Sequence, residues 1–197
     1  VQTCALPILI GVCFPHFPEA GKWRAFGQKV LDREVERQIL PDGGSYEYTT
    51  TYLSFVFDFF LLYKLVCEKK GIAYNPAVND RLEKSCEYIH ALMDAQGNLA
   101  NIGDQDSAVL VNFGMDNHEN FKSILNTGAL LFDRPEFLQD TFPDIKTCCL
   151  LDLNRYQVPQ RKPRSRDGAG CFKESGLSVI RSHIDTKELL LDRKSTR

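Results

Sequence analysis

The sequence predicts a mainly α chain that turns to β near its end. Apolar residues recur at helical spacing in four segments before residue 131, joined by short connections. A stretch with prolines, glycines and five cationic side chains follows at 153–170, and beyond it the apolar runs shorten to the strand-like "LSVIRS" and "ELLLD". Helices first and strands afterwards read as an α-domain joined to the opening of an all-β domain, with a boundary near 155–170.

The first predicted helix covers 22–40, "KWRAFGQKVLDREVERQIL", with Trp23, Phe26 and Val30 on one stripe continued by Leu31, Val35 and Ile39. "PDGG" stops it. The second covers 50–68, and its centre, "YLSFVFDFFLLYKLV", is apolar on nearly every side, as befits a helix buried all round. Thr49, Thr50 or Thr51 can cap its first N–H groups. "EKKGIAYNP" is a turn, and a third helix over 77–93 puts Val78, Leu82, Cys86, Ile89 and Met93 on one face. After the acidic loop "DAQGNLANIGDQDSAVLVNFG" come a helix over 118–131 and a weaker one at 135–138. No internal repeat is evident in the sequence.

The 197 residues suffice for one ordinary domain and the beginning of another, and 43% hydrophobic with 25% charged is a globular composition. A net charge of -2 supplies no global positive field, so nucleic acid is not an expected partner. The seven cysteines, at 4, 13, 67, 86, 148, 149 and 171, are odd in number and form no CxxC, which points to free thiols rather than a disulfide framework. The four histidines make no HExxH or comparable spacing, so no metal site is predicted. "CALPILIGVCF" is too short and too broken by proline and glycine to span a bilayer, and no membrane insertion is expected. "VQTCALPI" and "RKSTR" resemble translated sequencing-adapter peptides, so residues 1–8 and 193–197 are expected to be foreign and the chain a fragment cut at both ends.

Chemistry concentrates at "PDGGSYEYTTTYLSF". Gly43 and Gly44 let the backbone turn tightly and approach something closely. Tyr52 falls in the first turn of the buried helix, where the helix N-terminus would stabilise a phenolate. Glu47 just precedes the helix and is placed to orient a hydroxyl or contact a substrate. Asp58, among Phe57, Phe59 and Phe60, requires a partner. The same residues also read structurally, with a threonine as cap and a tyrosine bonded within the fold. A second cluster, "NIGDQDSA", sets Asn101, Asp104 and Asp106 around a glycine turn, suited either to a cation or sugar hydroxyls or to Asx-turns on its own backbone. It lacks the ligand spacing of a calcium loop. Arg155, Arg161, Lys162, Arg164 and Arg166 would line an anionic groove or decorate a solvated linker.

Taken in order, "GVCFPHFPEAGKW", "ERQILPDGGSYEYTTTYLSFVFDFFLL", "NIGDQDSA" and "GLSVIRSHIDTKELLLD" resemble the heparinase II/III-like polysaccharide lyase family over most of residues 10–192. The resemblance implies a partial α/α toroid of helical hairpins followed by the start of an antiparallel β-sandwich, with substrate in the cleft between them. On that basis residues 9–155 are the C-terminal part of the toroid, 156–170 a linker and 171–192 the opening of the sandwich. It further implies that Tyr52 is catalytic, that Glu47 and Thr49 are its motif neighbours, and that Asn101, Gly103, Asp104 and Asp106 shape the cleft.

Two positions depart from the pattern: threonine stands at 49 where serine is commoner, and Leu53 follows the tyrosine where histidine is often found. The implied reaction is β-elimination on a uronic-acid-containing polysaccharide. The asparagine or histidine groups that would complete it fall before residue 10 and beyond 192. No cofactor is implied for this stretch, and a divalent cation in the rest of the β-domain is compatible with the family. The partner would be an acidic polysaccharide and the location the bacterial periplasm or beyond. Two other readings stand beside the lyase. One is a non-catalytic carbohydrate-binding or capsule-assembly protein on the same scaffold. The other is an α/α-toroid glycoside hydrolase using two of Glu47, Asp58 and Asp104 as opposed carboxylates.

Overall fold

A computed structural model describes residues 2–94, 96–104, 109–114, 116–141, 143–161, 168–184 and 187–194. Six α-helices and a three-stranded antiparallel sheet emerge among them: α1 (Gln2–Cys13), α2 (Ala20–Gln38), α3 (Thr50–Lys70), α4 (Ala77–Leu92), α5 (Asn117–Leu131), α6 (Ile145–Leu150), β1 (Gly168–Phe172), β2 (Leu177–Ile184) and β3 (Lys187–Lys194). The helices α2 to α5 fall within two residues of the predicted bounds, and the weak segment at 135–138 is a single 3-10 turn, Pro135–Phe137. Three elements were not anticipated. α1 forms despite Pro7, α6 is only six residues long, and β1 is the glycine-rich "GAGCF".

α3 occupies the centre, packing against α1, α2, α4 and α5. It is long and apolar enough to cross a membrane, yet most of it is buried among those helices. Leu53, Phe57, Phe60, Leu61, Tyr63 and Cys67 are all buried, and each large apolar side chain contributes about 1.5–3 kcal/mol by leaving water. α4 presents Val78, Leu82, Cys86 and Ile89 to the same core, joined by Met93 just past its end, as the spacing predicted. α2 differs from expectation: Ala20, Gly27, Leu31 and Val35 form its buried stripe, while Phe26 is exposed. The reason is α1, which lies so close that a Cβ at Gly11 would sit 2.5 Å from the Ala20 carbonyl oxygen and 2.9 Å from the Arg24 nitrogen. Small residues are needed on the face that meets it. Between these two helices the rings of Phe14, His16, Phe17 and Trp23 touch one another, with His16 stacked on Phe17 at 4.9 Å.

The described cysteines 13, 67, 86, 148, 149 and 171 are free thiols. Burial pushes the Cys67 thiol up to about 11, despite a hydrogen bond with Tyr63, and burial also raises Cys86. Neither supplies thiolate at neutral pH.

Polar ties close the other end of the core. α5 opens with a capping box in which Asp116 and Glu119 satisfy each other's backbone N–H. Asp144 caps α6 and accepts from Ser123 Oγ at 2.7 Å, Asn126 Nδ2 at 3.0 Å and Thr147 Oγ1 at 2.8 Å. Burial pushes the Asp144 carboxyl up, but those donors and the Thr147 N–H outweigh it and hold the group below its ordinary value. The folded chain therefore binds this proton less tightly than the unfolded chain. Its stabilisation is present above the unfolded value of about 3.9 and is lost as pH falls through the lower folded value. Asp144→Asn is expected to cost stability at neutral pH, with the gap to the wild type in urea midpoint closing as pH drops through that window.

The sheet runs in the order β1–β2–β3, with Phe172 opposite Leu177 and Leu177 opposite Lys194. Residues of β2 alternate: Leu177 and Val179 are buried in the helical core, whereas Ser178 and Ile180 are exposed. Arg181 donates to the carbonyls of Ala91 at 3.0 Å and Met93 at 2.5 Å, at the C-terminal end of α4. Phe172 meets Tyr88 edge-on at 4.9 Å. One face of the sheet thus rests on α4.

Candidate functional site

The segment between α2 and α3 is a closed strap. Ile39 and Ser45 form an antiparallel bridge, Leu40 N–H donates to Gly44 O at 2.8 Å, and Tyr46 N–H donates to Gln38 O at 3.0 Å. Inside this turn the two glycines lie against protein on both sides. A Cβ at Gly43, whose φ is 91°, would meet Lys84 O at 2.0 Å, and one at Gly44 would meet Ser175 Oγ at 1.9 Å. The close approach foreseen for "DGG" is therefore to α4 and to the β1–β2 turn, and the glycines are occupied by the fold rather than held open for a ligand.

Beyond Ser45 the chain rises to the start of α3. Ser45 Oγ accepts from Glu47 N–H at 3.1 Å and Ser45 O from Tyr48 N–H at 2.9 Å. Tyr48 takes φ 54°, a left-handed conformation uncommon outside glycine. Thr49 is the cap among the three threonines, its hydroxyl accepting from Tyr52 N–H at 3.0 Å. Tyr52 is accordingly the third residue of the helix and is half-buried, while Glu47 is exposed beside the exposed rings of Tyr46 and Tyr48.

The second cluster is fastened over this helix start. Thr50 N–H donates to Ile102 O at 3.0 Å, and Ile102 N–H returns to Thr50 Oγ1 at 3.3 Å. Gly103, with φ 74°, lies so close that a Cβ would meet Tyr48 O and Thr49 Cβ, each at 2.9 Å. Asn101 and Asp104 flank this contact and are exposed. Two clusters some fifty residues apart in the sequence are thus brought to one place. Asp106 lies outside the described residues, as does Arg164 with its neighbours Lys162 and Arg166. Arg155 ends a short 3-10 turn, Leu153–Arg155, and Arg161 follows it; both are exposed on the segment leading to the sheet.

Asp58 does not belong to this surface. It is 0% exposed and accepts from Lys146 Nζ at 2.7 and 2.8 Å, while Lys146 also donates to Asn120 at 2.7 Å. Val111 N–H lies 3.4 Å from its second oxygen. Burial pushes the carboxyl up and these donors hold it back. The partner that its position demanded is present, so Asp58 is withdrawn from the set of candidate opposed carboxylates, leaving Glu47 and Asp104 exposed.

Sequence reasoning passed over three residues here. Tyr46 and Tyr48 stand on the lip, signalled only by the alternation "SYEY". Asp42 was read as part of a helix stop, yet its carboxylate accepts from Ser175 N–H at 2.7 Å and Ser175 Oγ at 2.6 Å. A depression of about 600 Å³ also exists, lined by Ala25, Gln28, Lys29, Asp32 and Arg33 of α2, and shares no residue with the strap. Its Asp32 carboxylate is occupied by Tyr63 OH at 2.7 Å and Asn75 N–H at 2.9 Å. Among the described residues no group of three or more His, Cys, Asp or Glu is disposed to hold a metal ion.

Residues 1–108 match the family model described as "Heparinase II/III N-terminus", more than half of the chain. A protein from Pedobacter heparinus named heparin-sulfate lyase is 35% identical over 54 residues, which is 27% of this chain and 8% of that relative's length. No solved structure matches the chain.

Proposed function

The chain belongs to the heparinase II/III N-terminus family, and we propose that it carries part of the active site of a polysaccharide lyase, with Tyr52 as the proton-transfer residue. The observation that carries this reading is the convergence at the start of α3. Thr49 and Thr50 fasten Tyr52 between the strap and the 101–104 loop, with Glu47, Tyr46 and Tyr48 exposed beside it. A hydroxyl held on a buried helix, next to a polar and aromatic lip, suits a sugar polymer.

The reaction is β-elimination at a uronic acid. Donors neutralise the sugar carboxylate and make the C5 proton acidic. A base removes that proton, the freed electron pair forms the C4–C5 double bond, and the C4–oxygen bond breaks. An acid then protonates the departing oxygen. A tyrosine hydroxyl can donate a proton at neutral pH, so Tyr52 suits the last step; the helix N-terminus beneath it favours the phenolate left behind. Glu47, Asn101, Asp104 and Asp106 serve binding and support, and Arg155, Arg161 and Arg164 serve attraction of the anionic polymer. The helical hairpins are read as part of an α/α toroid and the three strands as the opening of a β-sandwich, in a protein exported to the periplasm or beyond.

A second reading, a non-catalytic glycan-binding protein, is favoured by one observation. Leu53, where the family often carries histidine, is fully buried and serves the core. One experiment decides between them. The protein expressed from its full reading frame is offered uronate-containing polysaccharides, and the ultraviolet absorbance of the unsaturated product is followed. Tyr52→Phe is expected to lower kcat by about 10²–10⁴-fold with saccharide binding intact. An undiminished rate in Tyr52→Phe removes Tyr52 from the chemistry. Binding without any absorbance change in the wild type makes the protein a binder.

A further inference from the structure

We propose that Asp42 is a positioning residue, which locks the β1–β2 turn to the strap that leads into the Tyr52 helix so that sheet and strap move as one unit. The lock is short and part-buried, and its acceptor is a carboxylate. Ser175, only 4% exposed, donates both its N–H at 2.7 Å and its hydroxyl at 2.6 Å to the two oxygens of Asp42. Asp42 also lies 3.4 Å from Gly44 N–H, so it ties its own turn at the same time. Hydrogen bonds to a carboxylate are roughly twice as strong as neutral ones and impose direction.

The strap has no room to slide beneath this lock. On its α4 side, Ser85 Oγ donates to Gly43 O at 3.1 Å, and the Gly43 Cα faces the Lys84 carbonyl. On its sheet side, the missing Cβ of Gly44 leaves the space that the Ser175 hydroxyl occupies. From there a continuous run of bonds leads to the site: the Ile39–Ser45 bridge, Tyr48 N–H to Ser45 O, and Tyr52 N–H to Thr49 Oγ1. A displacement of the β1–β2 turn therefore displaces Gly44, and through the bridge it displaces the whole lip. In catalytic terms, which rest on the lyase reading, groups on the sheet side and the Tyr52 hydroxyl must meet one sugar. The lock fixes that separation.

The test uses the protein expressed from its full reading frame, comparing wild type, Ser175→Ala, Asp42→Asn, Asp42→Ala and the double variant Asp42→Ala/Ser175→Ala by amide hydrogen exchange. Ser175→Ala, a change on the sheet side, is expected to speed exchange about tenfold at residues 46–52 as well as in the turn at 173–176. The double variant is expected to exchange no faster at 46–52 than Asp42→Ala alone, because both remove the same link. Asp42→Asn, which keeps an acceptor, is expected to fall between wild type and Ser175→Ala. Faster exchange confined to 173–176, or additive effects in the double variant, overturns the proposal.

Activity supplies a separate arm. If the wild type eliminates, Ser175→Ala is expected to lower kcat about tenfold with little change in KM, as misplacement of a proton-transfer group should. An unchanged kcat overturns the positioning role. A wild type that cleaves no polysaccharide sinks the lyase reading, and the exchange measurements then decide the lock by themselves.

Discussion

Replacing Gly43 by alanine is expected to destabilise the folded protein by about 3 kcal/mol or more, and to leave little folded material at physiological temperature. Two costs combine. The residue holds φ 91°, where a Cβ is strained, and that Cβ would meet the Lys84 carbonyl oxygen at 2.0 Å and the Ser85 nitrogen at 2.7 Å. Both atoms are helix backbone in α4 and cannot step aside as a flexible side chain would. Gly71→Ala separates the two terms, because Gly71 also has a positive φ, 62°, but nothing lies within 4 Å of its would-be Cβ. Strain alone there is expected to cost about 1–2 kcal/mol. Urea unfolding of the two variants checks the difference, and equal losses would show that α4 does not press on the strap.

Asp58→Leu and Lys146→Met, made singly, are each expected to cost about 3–5 kcal/mol. Each single change leaves one charge stranded in the core, Lys146 being 1% exposed and Asp58 0%. Making Asp58→Leu together with Lys146→Met is expected to recover most of the loss, since a buried pair exchanged for apolar residues of similar size is often neutral. Losses that simply add in the double variant would mean that the two side chains do not form a pair. Because Lys146 reaches from α6 into α3 and also holds Asn120 of α5, this pair sets which way the short helix docks.

That pair also shows where sequence reading stops. The need for a partner was legible at Asp58, set among three phenylalanines in an all-round apolar helix. The partner was not, because it stands 88 residues away in a six-residue helix too short to leave a periodic signal. α3 and α4 were legible for the opposite reason: their apolar patterns, and the threonine cap of α3, are local properties. α1 was obscured by Pro7 and Gly11, both of which read as breakers, although Gly11 is what lets α2 come close. β1 carries no pattern of its own and becomes a strand only by pairing with β2.

The candidate site divides in the same way. A cap, a tyrosine in the first helical turn and a tight glycine turn were all written locally. The fastening of residues 102–103 onto 48–50 was visible only as two separate motifs. The role of Asp42 was invisible, since Ser175 is 133 residues distant and lies in another element. Local chemistry can be read from spacing; the contact that fixes its position cannot.

The most direct test of the central reading, that this chain serves elimination at a uronic acid, is mass spectrometry of the oligosaccharides released from an acidic polysaccharide by the protein expressed from its full reading frame. Elimination consumes no water, so each new non-reducing end is expected to be lighter by one water than a hydrolytic end, and to vanish from the Tyr52→Phe digest. Ends carrying the full mass of hydrolysis would contradict the lyase reading and turn attention to Glu47 and Asp104 as opposed carboxylates.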